Sequence, residues 1–569
     1  MKNESTDFSK GLTRRKFLKY SALFSAAAAS LASWEAQQVL ATNPDNKTDK
    51  IKTDESGRPN FIYIFVDDGG YADIEPFGSK INRTPNLNRM AAEGMKLTSH
   101  YSAPVCSPAR AQLMTGSYAQ RIGLSYGSYA SVLRPGDRHG LNPQEETLAK
   151  ILKKAGYATG CFGKWHLGDQ PQFLPTNQGF DDFWGIPYSN NQWPLEPNWD
   201  YPRLPFMHND KVVGEVATMQ DQAQLCRLAV ETAISFIKQN KHRPFFAYIP
   251  HVFTHTPCMA RPEFMARAKD VTQAQVEELD WAVGQIFEVL RELNLDRKTV
   301  VFWVSDNGGE KGNNNDPLRG QKGSTWEGGT RVPAIAWWPA HIPAGSVSDE
   351  VTTTMDMLPT FASLAGTQPP NDRVIDGHDI RSILLCKSGA VSPYEAYFYY
   401  RDGELEAVRC GDWKLRKGEL YNLAKDIGET TNLAQSNPDM VKKLQAYMTK
   451  AVAELGNRNN PGPGTRPVGK IENARTILPR PGLKGDIVNM PSAPWPAHPD
   501  APKRPVPDDA YAPTGPEFRV GNSWMICPVC LYQGTSKDFK EAGPGVRAGF
   551  CCPVCTRLRP LPQFCNNAL

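Results

Sequence analysis

Three apolar runs of strand length, each ending in carboxylates, amides or imidazoles, constrain this chain more than any other feature. Asn60 to Val66 ends in Asp67-Asp68-Gly69-Gly70, Pro244 to Ile249 runs on to His251 and His255, and Thr299 to Val304 runs into Ser305-Asp306-Asn307-Gly308. Runs this short, rich in β-branched and aromatic residues, read as buried strands. Between the last two lies a helical pattern. Val276, Leu279, Val283, Ile286, Phe287, Leu290 and Leu293 recur at three- and four-residue steps and make one apolar face. Strands alternating with helices predict an α/β domain. Ligands of such sheets gather outside the carboxyl ends of the strands, where Asp67, Asp68, His255, Asp306 and Asn307 all fall. Asp67, Asp68, Asp306 and Asn307 are hard oxygen donors of the kind that calcium prefers.

At 569 residues the chain exceeds one ordinary core and fits a large domain with appendages. From about Ala396 the pattern changes to short runs, Ala396 to Tyr400, Glu406 to Arg409, Trp413 to Leu415 and Glu419 to Leu423, which predict a small antiparallel sheet. A helix is expected from Pro438, with Asn437 as N-cap, to Leu455-Gly456. Residues 461–516 hold 14 of the 47 prolines and no periodicity, which predicts an extended tail. Most of the formal net charge of +4 sits at the N-terminus, in Lys2, Lys10, Arg14, Arg15, Lys16 and Lys19. The nearly neutral remainder carries no electrostatic footprint for nucleic acid.

The chemistry-bearing segments come in a distinctive order. Cys106-Ser107-Pro108-Ala109-Arg110 is followed by Thr115-Gly116, then Lys164-Trp165-His166, His255-Thr256-Pro257, Asp306-Asn307-Gly308, Leu318 to Lys322 and Glu327 to Pro333. Singly each reads as a turn, a cap or a surface group; together, across residues 59 to about 455, they resemble the type I sulfatases. Glu419 to Leu423 with Asp426, Glu429, Asn432 and Leu433 is similar to that family's C-terminal subdomain. The resemblance implies a large mixed sheet flanked by helices, alkaline-phosphatase-like, and hydrolysis of the sulfate ester of a small molecule or glycan. It implies that Cys106 is oxidised to formylglycine by a formylglycine-generating or anaerobic sulfatase-maturating enzyme. Asp67, Asp68, Asp306 and Asn307 would hold one calcium ion with residue 106 adjoining it, and Arg110 would fix that residue's geometry. Lys164, His255 and Lys322 would grip the sulfate, with Ser189 contacting substrate. Some relatives carry a histidine and an aspartate after that serine, where this chain has Asn190-Asn191.

The implied nucleophile is a geminal diol. One hydroxyl attacks sulfur and expels the alcohol, and the other drives elimination of sulfate. His166 would take a diol proton and His255 or Lys322 would serve the leaving oxygen. A phosphonate or phosphate ester hydrolase of the same superfamily is the alternative reading, since it uses the same groups on a similar oxyanion. A non-catalytic protein whose business is a metal knuckle is the other.

The two ends carry further signals. Thr13 to Lys19, an apolar run from Tyr20 to Leu31 and Val39-Leu40-Ala41 look like a twin-arginine signal, which implies export through the twin-arginine translocase of a bacterium to the periplasm or beyond. The run is shorter than the roughly 20 residues of a spanning helix, so no stable membrane span is expected after cleavage. Of 12 cysteines, Cys161, Cys226, Cys258, Cys386 and Cys410 share no spacing and read as small buried apolar residues. Cys527, Cys530, Cys552 and Cys555 form two Cys-Pro-Val-Cys knuckles that resemble a zinc ribbon, with disulfides as the competing reading. The expected divisions are a signal at 1–41, a linker at 42–58, a catalytic domain at 59–390, a subdomain at 391–456, a proline-rich tail at 457–520 and a cysteine-rich module at 521–569.

Overall fold

The computed structural model describes residues 57–125, 132–196, 201–458 and 460–479, with short backbone strands at 511–513, 524–526, 533–535, 540–541 and 550–551. The signal segment and the cysteines at 527, 530, 552 and 555 lie outside the described residues.

The strands of the body are β1 (Asn60–Val66), β2 (Met95–Tyr101), β3 (His139–Gly140), β4 (Ala158–Lys164), β5 (Asp182–Ile186), β6 (Leu204–His208), β7 (Lys211–Val216), β8 (Phe245–Pro250), β9 (Thr299–Ser305), β10 (Arg331–Trp337), β11 (Ser346–Ser348) and β12 (Thr352–Thr353). All except β3 join an 11-stranded sheet in the order β11-β2-β10-β9-β1-β8-β4-β5-β6-β7, with β12 beside β2. The middle of the sheet, β9-β1-β8-β4-β5, is wholly parallel. Antiparallel β10 on one side and β6 on the other make it mixed.

The continuous apolar run of β1 follows from burial on both faces. Ile62, Ile64 and Val66 enter the core under the helices Pro85–Glu93, Met219–Asn240 and Val271–Glu292. Phe61, Tyr63 and Phe65 enter the opposite core with the helices Cys106–Thr115, Leu148–Lys154 and Met357–Leu364. Local sequence sets the helix starts: Thr218 and Asp221 form a capping box, and the Asp270 side chain accepts from the Gln273 amide. At Gly163 (φ +136°) any Cβ would collide with the Pro250 carbonyl. Only glycine lets the end of β4 lie this close to β8.

The subdomain is the antiparallel meander β13 (Tyr397–Arg401), β14 (Glu404–Cys410), β15 (Trp413–Arg416) and β16 (Glu419–Asn422). The helix Pro438–Leu455 covers it, placing Leu444 on Val408, Leu415 and Leu420. Asn437 is the N-cap residue as expected, but its side chain caps nothing; its amide donates to the Leu433 carbonyl instead. Beyond the helix, residues 460–479 run extended across the catalytic body, with Ile477 fully buried. Proline content did not reveal this packing, because the apolar partner of Ile477 lies in a distant part of the chain.

Cys161 and Cys226 are buried as expected, whereas Cys258 and Cys410 are half-buried and Cys386 is exposed. Cys386 ends a helical turn at φ +47° on the surface, where spacing alone carries no burial information. No helix among the described residues is long and apolar enough to cross a membrane.

Candidate active site

The five parallel strands each deliver one polar cluster, in the order in which they lie in the sheet. Asp306 and Asn307 follow β9, Asp67 and Asp68 follow β1, and His255 lies just beyond β8. Lys164 ends β4, and Ser189 stands three residues past β5. Pairing explains why they meet: Val66 is in register with Ser305 across β1 and β9, so the Asp67 and Asp306 carboxylates emerge side by side.

Cys106 enters from above as the first residue of the helix Cys106–Thr115, every residue of which is buried. Its Sγ lies with carboxylate oxygens of Asp67 and Asp306 in a group whose atoms are all within 4.8 Å of one another. A reacting group here faces the positive end of the helix. Burial raises the Cys106 thiol, so it stays protonated. Arg110, one turn on, points the same way. Its Nη2 lies 2.8 Å from Asp306 Oδ2 and 3.3 Å from Asp67 Oδ2, and its Nη1 donates to the Lys164 carbonyl.

Two lysines complete the frame. Lys164 Nζ donates to Asp67 Oδ2 and, at 2.9 Å, to Ser189 Oγ. Lys322 Nζ donates to Asp68 Oδ2 at 2.7 Å. Asn307 Nδ2 donates to Asp68 Oδ1 at 2.7 Å, and the Asp68 amide donates to Asp306 Oδ1. Three carboxylates thus face three cations, of which Arg110 and Lys164 are fully buried and Lys322 is partly exposed. Burial alone would raise Asp67, but Lys164, His255, Arg110 and Lys322 outweigh it and hold the carboxyl far below its usual range. Burial and then the Asp67 charge push Asp306 up. Burial would lower Lys322, but Asp68 overrides it and keeps the ammonium charged.

Backbone carbonyls set both histidine tautomers. His255 Nδ1 lies 2.7 Å from the Thr256 carbonyl, so the proton sits on Nδ1 and the Nε2 lone pair faces Asp68 Oδ2 at 3.8 Å. His166 has φ +59°, and its Nε2 lies 2.9 Å from the Leu133 carbonyl. Nε2 therefore carries the proton, and Nδ1 is a bare, buried acceptor with no protein partner. Burial keeps both rings neutral, pushing His255 down to about 4 with Lys322 adding to the effect, and lowering His166 with Lys164 adding.

The donor set fits a divalent cation. Asp67 Oδ1 and Asn307 Oδ1 are buried without a protein partner, an arrangement that is costly unless something else satisfies them. Both belong to the hard oxygen cluster, and a cation there would leave a net positive cavity for an anionic ester.

The sequence model of the family described as Sulfatase matches residues 59–367. The chain belongs to the sulfatase family. N-acetylgalactosamine-6-sulfatase of Canis lupus familiaris is 38% identical over 379 residues, covering 63% of this chain and 71% of that protein. Arylsulfatase A of Homo sapiens is 34% identical over 454 residues, covering 69% and 88%. The solved structure of Ps i-CgsB in complex with k-i-k-neocarrahexaose superposes with a TM-score of 0.63 at 32% identity, covering 71% of this chain and 94% of that one. This sulfatase is a sulfuric ester hydrolase of alkaline-phosphatase-like fold, from a family that uses a divalent metal and formylglycine.

The active-site residues singled out in sequence, Asp67, Asp68, Cys106, Arg110, Lys164, His166, Ser189, His255, Asp306, Asn307 and Lys322, lie together here. Sequence reasoning missed the residues that orient them. Asn190, 1% exposed, donates from Nδ2 to the Thr256 carbonyl that also receives the His255 proton, and Gln222 donates to the Asn190 carbonyl. Thr254 Oγ1 donates to the Asp68 carbonyl, and Glu310 Oε2 lies 3.8 Å from Lys322 Nζ. The polar run after Ser189 was the one signal available, and it carried no direction.

Proposed function

We propose that this sulfatase hydrolyses a carbohydrate sulfate ester, with Cys106 as precursor of the formylglycine. The observation that carries this reading is the convergence of Asp306, Asp67, His255, Lys164 and Ser189 from five adjacent parallel strands beneath the start of the Cys106 helix. Calcium held by Asp67, Asp68, Asp306 and Asn307 would act as a Lewis acid at the sulfuryl oxygens. Lys164, Lys322 and Ser189 bind those oxygens. His166 Nδ1 takes a proton from the hydrated aldehyde of residue 106, because it is the bare acceptor. The leaving oxygen needs a donor. Neutral His255 has its single proton engaged with Thr256, so the charged Lys322 ammonium is the group with protons to offer. Arg110 holds Asp67 and Asp306 through one nitrogen, Nη2, while Nη1 donates to the Lys164 carbonyl, a spread of donors that lysine cannot reproduce.

Kinship with N-acetylgalactosamine-6-sulfatase, and with Ps i-CgsB crystallised in complex with k-i-k-neocarrahexaose, supports a glycan substrate. The test is a side-by-side assay of 6-sulfated N-acetylgalactosamine, sulfated galactan oligosaccharides, an aryl sulfate and an aryl phosphodiester. Sulfate release from a glycan should be the most efficient reaction. Preferential cleavage of the phosphodiester would overturn the reading in favour of a phosphate ester hydrolase.

The reading extends to the ends of the chain. Arg14-Arg15 directs export by the twin-arginine translocase, giving a periplasmic or secreted protein that starts near Thr42. N-terminal sequencing of exported protein that returned an intact Arg14-Arg15 would exclude it. Cys527, Cys530, Cys552 and Cys555 bind zinc. Metal analysis with a thiol count that gave neither zinc nor free thiols would leave disulfides.

A further inference from the structure

The loop 132–142 lies between two partners. On its inner side it touches the catalytic groups. The Leu133 carbonyl accepts from His166 Nε2 and from Gln192 Nε2, both at 2.9 Å, and the Leu133 amide donates to Ser107 Oγ, beside Cys106. The Gly136 amide donates to Asp169 Oδ2 at 2.7 Å, and the Leu141 amide to the Leu167 carbonyl.

On its outer side the loop is clamped by a segment more than 300 residues away. Gly469 and Lys470 pair antiparallel with Gly140 and His139. The Ile471 amide donates to the Arg138 carbonyl, Arg138 Nη2 to the Glu472 carbonyl and Asn142 Nδ2 to the Pro467 carbonyl. Both ends of this segment are anchored. Arg466 makes a two-pronged contact with buried Glu145, at 2.8 and 3.0 Å. At the other end, Gln170 exchanges two hydrogen bonds with the Arg475 backbone, at 2.8 and 2.9 Å, and Ile477 is fully buried in the core. Among the described residues, the strap is the only ladder partner this loop has.

We propose that residues 466–479 are a positioning strap for catalysis. They hold the loop 132–142 where the Leu133 carbonyl keeps the His166 proton on Nε2 and leaves Nδ1 free to accept. The physical reason is that the group responsible is a backbone carbonyl, whose place is decided by the path of the loop and not by the Leu133 side chain. A shift of about 1 Å takes a 2.9 Å hydrogen bond out of range, and the imidazole is then free to exchange tautomers. The proposal rests on the reading of His166 as proton acceptor.

The test compares full-length Arg466→Ala, Ile477→Asp, Ile477→Val and His166→Ala, with metal content and aldehyde at residue 106 measured in each. Arg466→Ala and Ile477→Asp should lower kcat by about ten- to a hundredfold with KM little changed, the scale expected when a distant change displaces a catalytic group by about 1 Å. Ile477→Val should restore turnover. Adding Arg466→Ala to His166→Ala should cost less than about twofold more, since residues acting through one group are not additive. Should Ile477→Asp not fold, the half-buried Arg466 carries the same test. Wild-type turnover in His166→Ala would overturn the acceptor reading itself. An inactive His166→Ala beside a fully active Arg466→Ala would overturn the strap alone, as would a full tenfold additional loss in the double variant.

Discussion

A buried thiol held protonated is a poor nucleophile, and Cys106 is 2% exposed with its pKa raised by burial. In the proposed function its value lies in the aldehyde that replaces it. Cys106→Ala should leave the thermal unfolding midpoint within a degree or two and abolish turnover, while peptide mass spectrometry of the native protein shows loss of the thiol sulfur. A fully active enzyme with an unmodified thiol would refute the scheme. Asn190 illustrates a quieter role. By sharing the Thr256 carbonyl with His255, it helps fix the carbonyl that sets the His255 tautomer. Asn190→Ala should lower kcat by about tenfold, a fraction of the roughly 10²–10⁴ that a positioned proton carrier supplies, with circular dichroism unchanged. Cys106 was legible in sequence because its motif is contiguous. Asn190 was not, since a lone asparagine has no pattern until its neighbours in space are known.

Between elements, the subdomain is more than an attachment. Lys414 on β15 is fully buried between Glu327 Oε1 at 2.9 Å and Glu429 Oε1 at 2.8 Å. Glu429 Oε2 accepts from the Glu327 amide and its carbonyl from Arg319 Nη1, so the stretch that follows the meander holds both ends of the segment that carries Lys322. Removing the cation leaves two buried carboxylates facing each other. Lys414→Met should therefore destabilise the protein by about 3–5 kcal/mol in denaturant unfolding, the usual effect of breaking a buried ion pair on one side, and should raise KM as Lys322 loosens. A change below about 1 kcal/mol, the range of an exposed pair, would show that this contact is dispensable. The strands themselves were legible, Asn60–Val66 and Thr299–Ser305 nearly to the residue, because strands buried on both faces leave unbroken apolar runs.

The molecule as a whole is organised around paired carboxylates and cations at the carboxyl ends of its central strands. Three carboxylates offset by three cations make a neutral site, and a bound divalent ion should stabilise the native state, which alone assembles the ligands. Chelation should abolish sulfate release and lower the unfolding midpoint. Calcium at about 100 times its dissociation constant should return about 2.7 kcal/mol of stability. Full activity after exhaustive chelation would remove the metal from the reading, and preferential rescue by another ion would correct its identity.

Sequence by itself determined which segments become the central strands and that their ends carry carboxylates and amides, since these depend on local periodicity and side-chain chemistry, and the contiguous residues Cys106 to Arg110 carried the resemblance to the sulfatases. Tertiary structure alone decided the strand order that sets Asp306, Asp67, His255, Lys164 and Ser189 side by side. It alone decided the tautomers of His166 and His255, the burial of Lys414 between two glutamates, and the return of residues 466–479 across the active-site loop. The reason is common to all four. Each is decided by partners far apart in sequence, several of them backbone carbonyls, which every residue possesses and no motif distinguishes until the chain has folded.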